Sequence, residues 1–380
     1  MGDEERDWLS IMSLRIWPNL TKYADRLFSY YVGPMDTVWP VFDSARDSEF
    51  IHTVNKKFAG GKDIIFLCNP SEAMREVTLH KIHRCLSELS VRPSQIYLTT
   101  GSLNGPELYE EFCQKNEFTD RINILPTNIF LNVSKQLKEC VVEPYTIKKR
   151  LRNFLCFNRV ERRHRIVLLA KLISENLLEN SFYSFYGNYF NNEWVHETSL
   201  RNITKLSDDV IDILMENKHL LPIHLTGDKI TRNNPIQLTE DDTKLFSESY
   251  YSVVTETLFY SDPHKDALSF GTIPSIFFTE KIYKPICMNH PFLLVSMPNS
   301  LAYLRLLGFK TFSPFINESY DSEADDDLRM KMIVDEIKRL DSFTDEQWIE
   351  WQKNVKEIVE HNFQTYDSIN TYSYGKDINF

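Results

Sequence analysis

The stretch RNFLCFNRVERRHRIVLLAKLIS, residues 152–174, carries two periodicities side by side. Phe154 to Phe157 is an unbroken apolar run of strand length. From about Arg162 the spacing changes, and Ile166, Leu169, Ala170 and Ile173 fall on one face of a helix reaching to about Leu178. A strand that passes directly into a helix opens a βαβ unit, which implies a parallel sheet. Lys148, Lys149, Arg150, Arg152, Arg159, Arg162, Arg163 and Arg165 crowd this junction, although the chain carries a net charge of -11. Cations at a strand-to-helix turn act together with free backbone N–H groups and the positive end of the helix dipole. Arg159 to Arg165 thus have the makings of a diphosphate site. The competing reading is a solvated helix face with scattered surface pairs.

Working upstream, Glu143-Pro144 marks a hinge, and before it strands and helices alternate again. Ile64 to Leu67, Ile96 to Leu98 and Ile122 to Leu125 read as strands, the last stopped by Pro126. Ser71 to Leu89 and Glu107 to Phe112 read as helices between them. Downstream, residues 191–242 are polar and show no clear period, and order returns with YYSVVTETLFY, residues 250–260, as a strand. Thr279 is placed to cap a helix that contains Pro285; Pro291 to Val295 is a strand. Ser300 reads as the cap of a helix that ends at Gly308, and Lys310 to Phe312 as a further strand. A helix from about Asp325 to Leu340 is acidic at its start and basic at its end, and Thr344 with Gln347 forms a capping box for a last helix to about His361. This gives an α/β chain with domains over 1–147 and 148–343, followed by a helix and tail over 344–380.

The bulk composition narrows the function classes. With 380 residues, 42% of them apolar, the chain is long enough for two cored domains. The acidic balance argues against duplex nucleic acid held mainly through phosphates. The six cysteines have no C-x-x-C spacing and read as free thiols in a reducing compartment. The acidic start MGDEERDWLS lacks the apolar segment of a signal peptide, and no apolar run approaches spanning length, so a cytoplasmic protein is expected.

A second constellation is Thr279-Glu280-Lys281 with Lys284. A carboxylate at a helix start can accept from two neighbouring ribose hydroxyls, and a lysine beside it can neutralise a phosphate. Alone it is equally an i,i+4 Glu-Lys pair on a surface helix. Together with the basic junction and the 250–260 strand, it resembles the donor-binding domain of α1,3-fucosyltransferases and related fucosyltransferase- or exostosin-like enzymes of bacteria and viruses. In that family a strand ending in a Phe-Glu-Asn-Ser type turn precedes a Thr-Glu-Lys helix. Val254-Thr255-Glu256-Thr257 resembles the first and Phe278-Thr279-Glu280-Lys281 the second, with Thr257 where the family has Asn. NFLCFNRVERRHR resembles the strand and basic turn that open the domain, where Arg159 or Arg165 matches an arginine on the diphosphate. The resemblance covers the C-terminal half. It implies a GT-B architecture of two Rossmann-like domains with an interdomain cleft, and metal-independent transfer. The donor residues it implies are Asn158, Arg159, Arg165, Glu256, Thr279, Glu280, Lys281 and Lys284, with a nucleotide-diphosphate sugar as donor substrate and no further cofactor.

Transfer of a hexosyl, deoxyhexosyl or pentosyl group leaves negative charge on the nucleotide diphosphate, which Arg159, Arg165 and Lys281 are placed to offset. An inverting enzyme also needs a base for the acceptor proton. Asp36, Asp43, Glu107 and Glu110 are the carboxylates considered, with Asp36 and Glu107 put forward. DSEADDD, residues 321–327, contains the D-x-D spacing of manganese-dependent transferases but leads into a helix, where acids are expected. His80 and His83, and His219 and His224, lack further ligands at zinc spacing, and Trp348 and Trp351 fit packing on an amphipathic helix. Three functions follow: transfer to a glycan or glycoprotein, transfer to a modified DNA base, and a non-catalytic sugar-nucleotide or glycan-binding module.

Overall fold

Runs of β-branched and aromatic residues, separated by helix-period segments, build two parallel sheets. The structure, a computed structural model, describes residues 27–31, 51–52, 55–56, 64–68, 71–134, 142–185, 206–225, 240–266 and 271–369. Its described residues form two compact units. The first takes the chain up to Ile129, together with Gly271–Phe277 and Ile369. The second takes Phe130–Phe270 and Phe278–Ser368. The division thus falls earlier than residue 147, and the last helix is part of the second unit and not a separate appendage.

The first unit holds β1 (Leu27–Tyr31), β2 (Ile64–Cys68), α1 (Glu76–Leu86), β3 (Ile96–Thr100), α2 (Gly105–Lys115) and β4 (Asn123–Pro126). The strands pair in parallel in the order β1-β2-β3-β4. Pro126 closes β4 opposite Thr100. The core is Ile65, Leu67, Leu79, Ile82, Leu98, Tyr109 and Phe112 with their neighbours. His83 belongs to it: the ring stacks on Phe118 at 4.0 Å and its Nε2 lies 3.0 Å from the Tyr109 hydroxyl. Gly271–Phe277 joins this unit through backbone pairing of Ile273 with Met74 at 2.8 Å and of Leu103 with Ile276 at 2.8 Å.

The short α3 (Ile129–Ser134) spans the boundary. The second unit continues with β5 (Arg152–Asn158), α4 (Arg163–Ser174), β6 (Ser181–Phe185), α5 (Asp208–Glu216), α6 (Glu240–Ser247) and β7 (Ser249–Thr255). It ends with α7 (Glu280–Cys287), β8 (Phe292–Val295), α8 (Ser300–Leu306), α9 (Asp326–Asp341) and α10 (Asp345–Ser368). Its strands are parallel in the order β6-β5-β7-β8. Every residue of β7 is buried, as a central strand covered on both faces requires. Trp348 of α10 stacks on Tyr250 at a 4.1 Å centroid distance, so the helix tryptophans serve packing. The capping box that starts α10 is present: the Gln347 side chain accepts from the Thr344 N–H at 2.8 Å.

The structure departs from the sequence expectations in several places. β7 stops at Thr255, five residues short of the strand read to Tyr260. Lys310–Phe312 does not pair as a strand; Asn362 of α10 instead brackets Lys310, accepting from its N–H at 2.7 Å and donating to its carbonyl at 2.9 Å. Ser300 is the first residue of α8, not its cap; Asn299 precedes it at φ 64°, and Asp321 accepts from the N–H groups of Leu301 and Ala302 at 2.8 and 3.0 Å. Asp321, Asp325 and Asp326 are thus committed to the fold, while Asp327 is exposed in the first turn of the helix that follows. Asp325 caps α9 through the Leu328 N–H at 2.7 Å, and Asp326 pairs with Arg329 at 2.8 Å.

One buried imidazole ties β7 to the turn before β8. His290 Nε2 donates to the Ser249 carbonyl at 2.8 Å, and its Nδ1 accepts from the Ser252 hydroxyl at 2.9 Å. The bond accepted at Nδ1 requires the neutral ring, and burial, reinforced by Arg150, holds its pKa down at about 3. The unfolded chain binds the proton more tightly, so stability is present above the ordinary histidine range and is lost as the pH falls below it. Between pH 7 and pH 5 this one residue removes about 2 kcal/mol, given an unfolded-chain histidine that titrates near 6.5 and ~1.4 kcal/mol per pH unit. Urea titrations at the two pH values should show that loss in the wild type, with a smaller loss in His290→Asn.

Candidate functional site

From β5 the chain crosses to β6 on one side and later returns to β7 on the other. The β5 and β7 connections therefore leave to opposite sides, which makes this the switch point, at the C-terminal strand ends, where open parallel sheets commonly bind ligands. Within the second unit, the β5–α4 turn, the loop that begins at Glu256 and the start of α7 meet at this end of the sheet.

The strand ends are joined first. The Thr255 hydroxyl donates to Asn158 Oδ1 at 2.6 Å, and the Asn158 N–H reaches the Ser184 hydroxyl of β6 at 3.2 Å. The next residue, Glu256, is fully buried. Its carboxylate accepts from the Thr279 N–H at 3.0 Å, the Thr279 hydroxyl at 2.6 Å and the Thr257 N–H at 3.2 Å. Thr279 is the N-cap of α7, and its hydroxyl also accepts from the Lys281 ammonium at 2.9 Å. That ammonium stands 3.3 Å from Glu280.

The basic segment reaches the same place from the other side. The Arg162 guanidinium is 3.6 Å from Asp266, and Arg163 lies over the Tyr260 ring at 4.9 Å. His164 Nε2 donates to the Glu256 carbonyl at 2.9 Å while its ring stacks on Phe259 at 5.5 Å. Arg165 donates to the carbonyls of Val160 and Thr255, both at 2.9 Å, and of Glu256 at 3.3 Å. Four consecutive side chains at the start of α4 thus grip the loop that follows β7.

Charge is unevenly satisfied here. Burial pushes the Glu256 carboxyl above the usual range, against the opposing pull of Lys281 and the Thr279 hydrogen bonds. For Glu280 burial acts upward too, but Lys281 and Lys284 prevail and hold it below that range. Burial and the neighbouring arginines keep His164 neutral, and its Nδ1 has no hydrogen-bond partner. Burial, then Arg162, brings Arg165 down to about 10. Burial also lowers Lys284, with Glu280 as its main attraction.

The expected donor residues therefore divide. Asn158, Arg165 and Glu256 are enclosed and spent on the protein's own groups. Arg165 in particular serves backbone carbonyls, so Arg159 is the better of the two arginines for an outside anion: it is exposed and forms no ion pair among the described residues. Thr279, Glu280 and Lys281 form the opening turn of α7, with the Lys281 side chain one-quarter exposed (25%). Lys284 is half-buried one turn along. Of the base candidates, Asp36 and Asp43 lie outside the described residues. Glu107 is exposed in the first turn of α2 in the first unit, and Glu110 pairs with Arg121 at 2.8 Å. The chain matches no protein-family model and no curated protein.

Sequence reasoning missed His164 and the Tyr260–Asp266 end of the loop. The signal for His164 was its place in an uninterrupted charged run at a helix start, a position that elsewhere would be solvated. Nothing local marks Asp266 as the partner of a residue about a hundred positions earlier.

Because the folded state holds the Glu256 proton more tightly than the unfolded chain, stability falls as the pH rises from the ordinary carboxylate range through the raised value. Glu256→Gln removes that titration. The unfolding free energy of the wild type should decline relative to the variant as the pH rises across the window, measured by urea denaturation from pH 4 upward. A difference that stays constant with pH contradicts the assignment.

Proposed function

We propose that the protein is a glycosyltransferase of GT-B type. In this reading it takes a sugar from a nucleotide-diphosphate donor held by the second unit and passes it, with inversion, to a glycan or glycoprotein acceptor in the cytoplasm. One observation carries the reading: the cationic start of α4 and the Thr-Glu-Lys start of α7 both converge on Glu256 at the switch point of a parallel sheet. The first turn of α4 contains no acidic residue and no side-chain cap, so its N–H dipoles are not neutralised from within the helix. Lys281 adds a cation at the N-terminus of α7, the end where a helix favours an anion. In this reading a diphosphate meets the exposed Arg159, Lys281 and the N-terminal end of α4.

The chemistry follows from that placement. As the glycosidic bond to the donor breaks, charge grows on the terminal phosphate oxygens. Lys281, held by Thr279 and Glu280, and the two helix starts are in place before the reaction, and the exposed Arg159 adds a further cation. An inverting transfer also needs a base for the acceptor proton, for which Asp36 and Glu107 stand as the sequence candidates. Among the described residues no helix is long and apolar enough to cross a membrane.

Isothermal titration with UDP, GDP and dTDP and their sugar derivatives tests the proposal. One of them should bind the wild type, and Lys281→Ala and Arg159→Ala should each weaken it about tenfold, the loss of one charge-assisted contact of ~1.4 kcal/mol. Absence of binding across the panel, or unchanged affinity in both variants, contradicts it.

A further inference from the structure

We propose that Glu256 is a positioning residue: acting through the Thr279 hydroxyl, it holds the Lys281 ammonium at the opening turn of α7. The inference deepens the donor-site reading above and rests on it for its purpose, though not for its geometry. Glu256 is fully enclosed and touches no solvent, so it cannot itself meet a ligand. What it does is set the direction of a hydrogen bond. Its Oε2 takes the Thr279 hydroxyl proton at 2.6 Å. The hydroxyl oxygen is then left with lone pairs only, and these accept from Lys281 Nζ at 2.9 Å and from the Lys281 N–H at 3.4 Å. With the carboxylate replaced by an amide, the group facing the hydroxyl can be a donor. The Thr279 proton is then free to turn toward the ammonium, which it repels.

The carboxylate is itself held in place by both neighbouring segments. Its Oε1 accepts from the Thr279 N–H, and its own backbone carbonyl is fixed by His164 and Arg165. Glu280 is the remaining partner of the Lys281 ammonium, at 3.3 Å, so the lysine is held between a hydroxyl whose direction is imposed and a carboxylate on the same helical turn.

The test measures Lys281 without any nucleotide. Competitive acylation with acetic anhydride, read by mass spectrometry on the full chain, gives the reactivity of each lysine. Lys331 and Lys353, exposed on α9 and α10, serve as internal references. Glu256→Gln should raise Lys281 labelling several-fold with the references unchanged. Thr279→Val, which keeps the shape and removes the hydroxyl, should do the same, and Thr279→Ser should restore the wild-type rate. The Glu256→Gln/Thr279→Val double variant should show no more labelling than either single one, because both break the same connection. A merely structural role for Thr279 gives the opposite order, with Val tolerated and Ser disturbed, and overturns the proposal. So does wild-type labelling in Glu256→Gln. Titration of UDP and GDP into the same variants separates the two claims. If the wild type binds one of them, Glu256→Gln should bind it several-fold more weakly. If the wild type binds neither, the donor reading fails while the labelling still decides whether Glu256 positions Lys281.

Discussion

A carboxylate removed entirely from water is costly, by several kcal/mol, unless its oxygens are fully satisfied. Glu256 meets that demand with the Thr279 N–H, the Thr279 hydroxyl and the Thr257 N–H, two of them from a segment more than twenty residues away. The need to satisfy it fixes where α7 begins. The chain after β7 leaves the sheet at Thr255 although its sequence keeps strand-like character to Tyr260: the carbonyls of Thr255 and Glu256 are taken by the side chains of His164 and Arg165. The placing of Thr279, and through its hydroxyl that of the Lys281 ammonium, follows from the same buried carboxylate.

Much of the second unit was legible because its elements carry their own signals. The apolar run at 154–157, the helical spacing after Arg162, the cap at Thr279 and the capping box at Thr344 are local chemistry, and local chemistry survives folding. β6 and α5 were not legible. The SFYSF strand is too short and too mixed to show a period, and α5 begins within a polar stretch whose apolar residues, Val210, Ile211 and Leu214, make sense only once the helix is packed on α4. Lys310–Phe312 failed in the opposite direction. It has the composition of a strand, but the side chain of Asn362 takes up the hydrogen-bonding groups of Lys310.

The candidate site was legible by residue type and not by role. The dense cations before α4 read as a phosphate clamp, yet Arg162, Arg163, His164 and Arg165 turn inward to carbonyls, rings and one carboxylate. A sequence shows that arginines are crowded but not which of them the protein uses up on itself. That is a matter of exposure, and among the described residues of this site Arg159 and the Lys281 end of α7 keep cationic groups facing outward. An interior of spent cations beneath a rim of available ones is what a preorganised anion site requires, since the rim cannot be rigid unless the layer below it is satisfied.

The central claim is that the Glu256 carboxylate joins the end of β7 to the start of α7, and the amide hydrogen exchange of Thr279 reports on it directly. That N–H belongs to no sheet or helix ladder and is bonded to Glu256. The account predicts that it exchanges as slowly as the amides of Val253 and Val254 in the centre of β7, through the same opening of the second unit. Exchange at the rate of an exposed loop amide would show that the junction is not closed, and with it the rest of the account would fall.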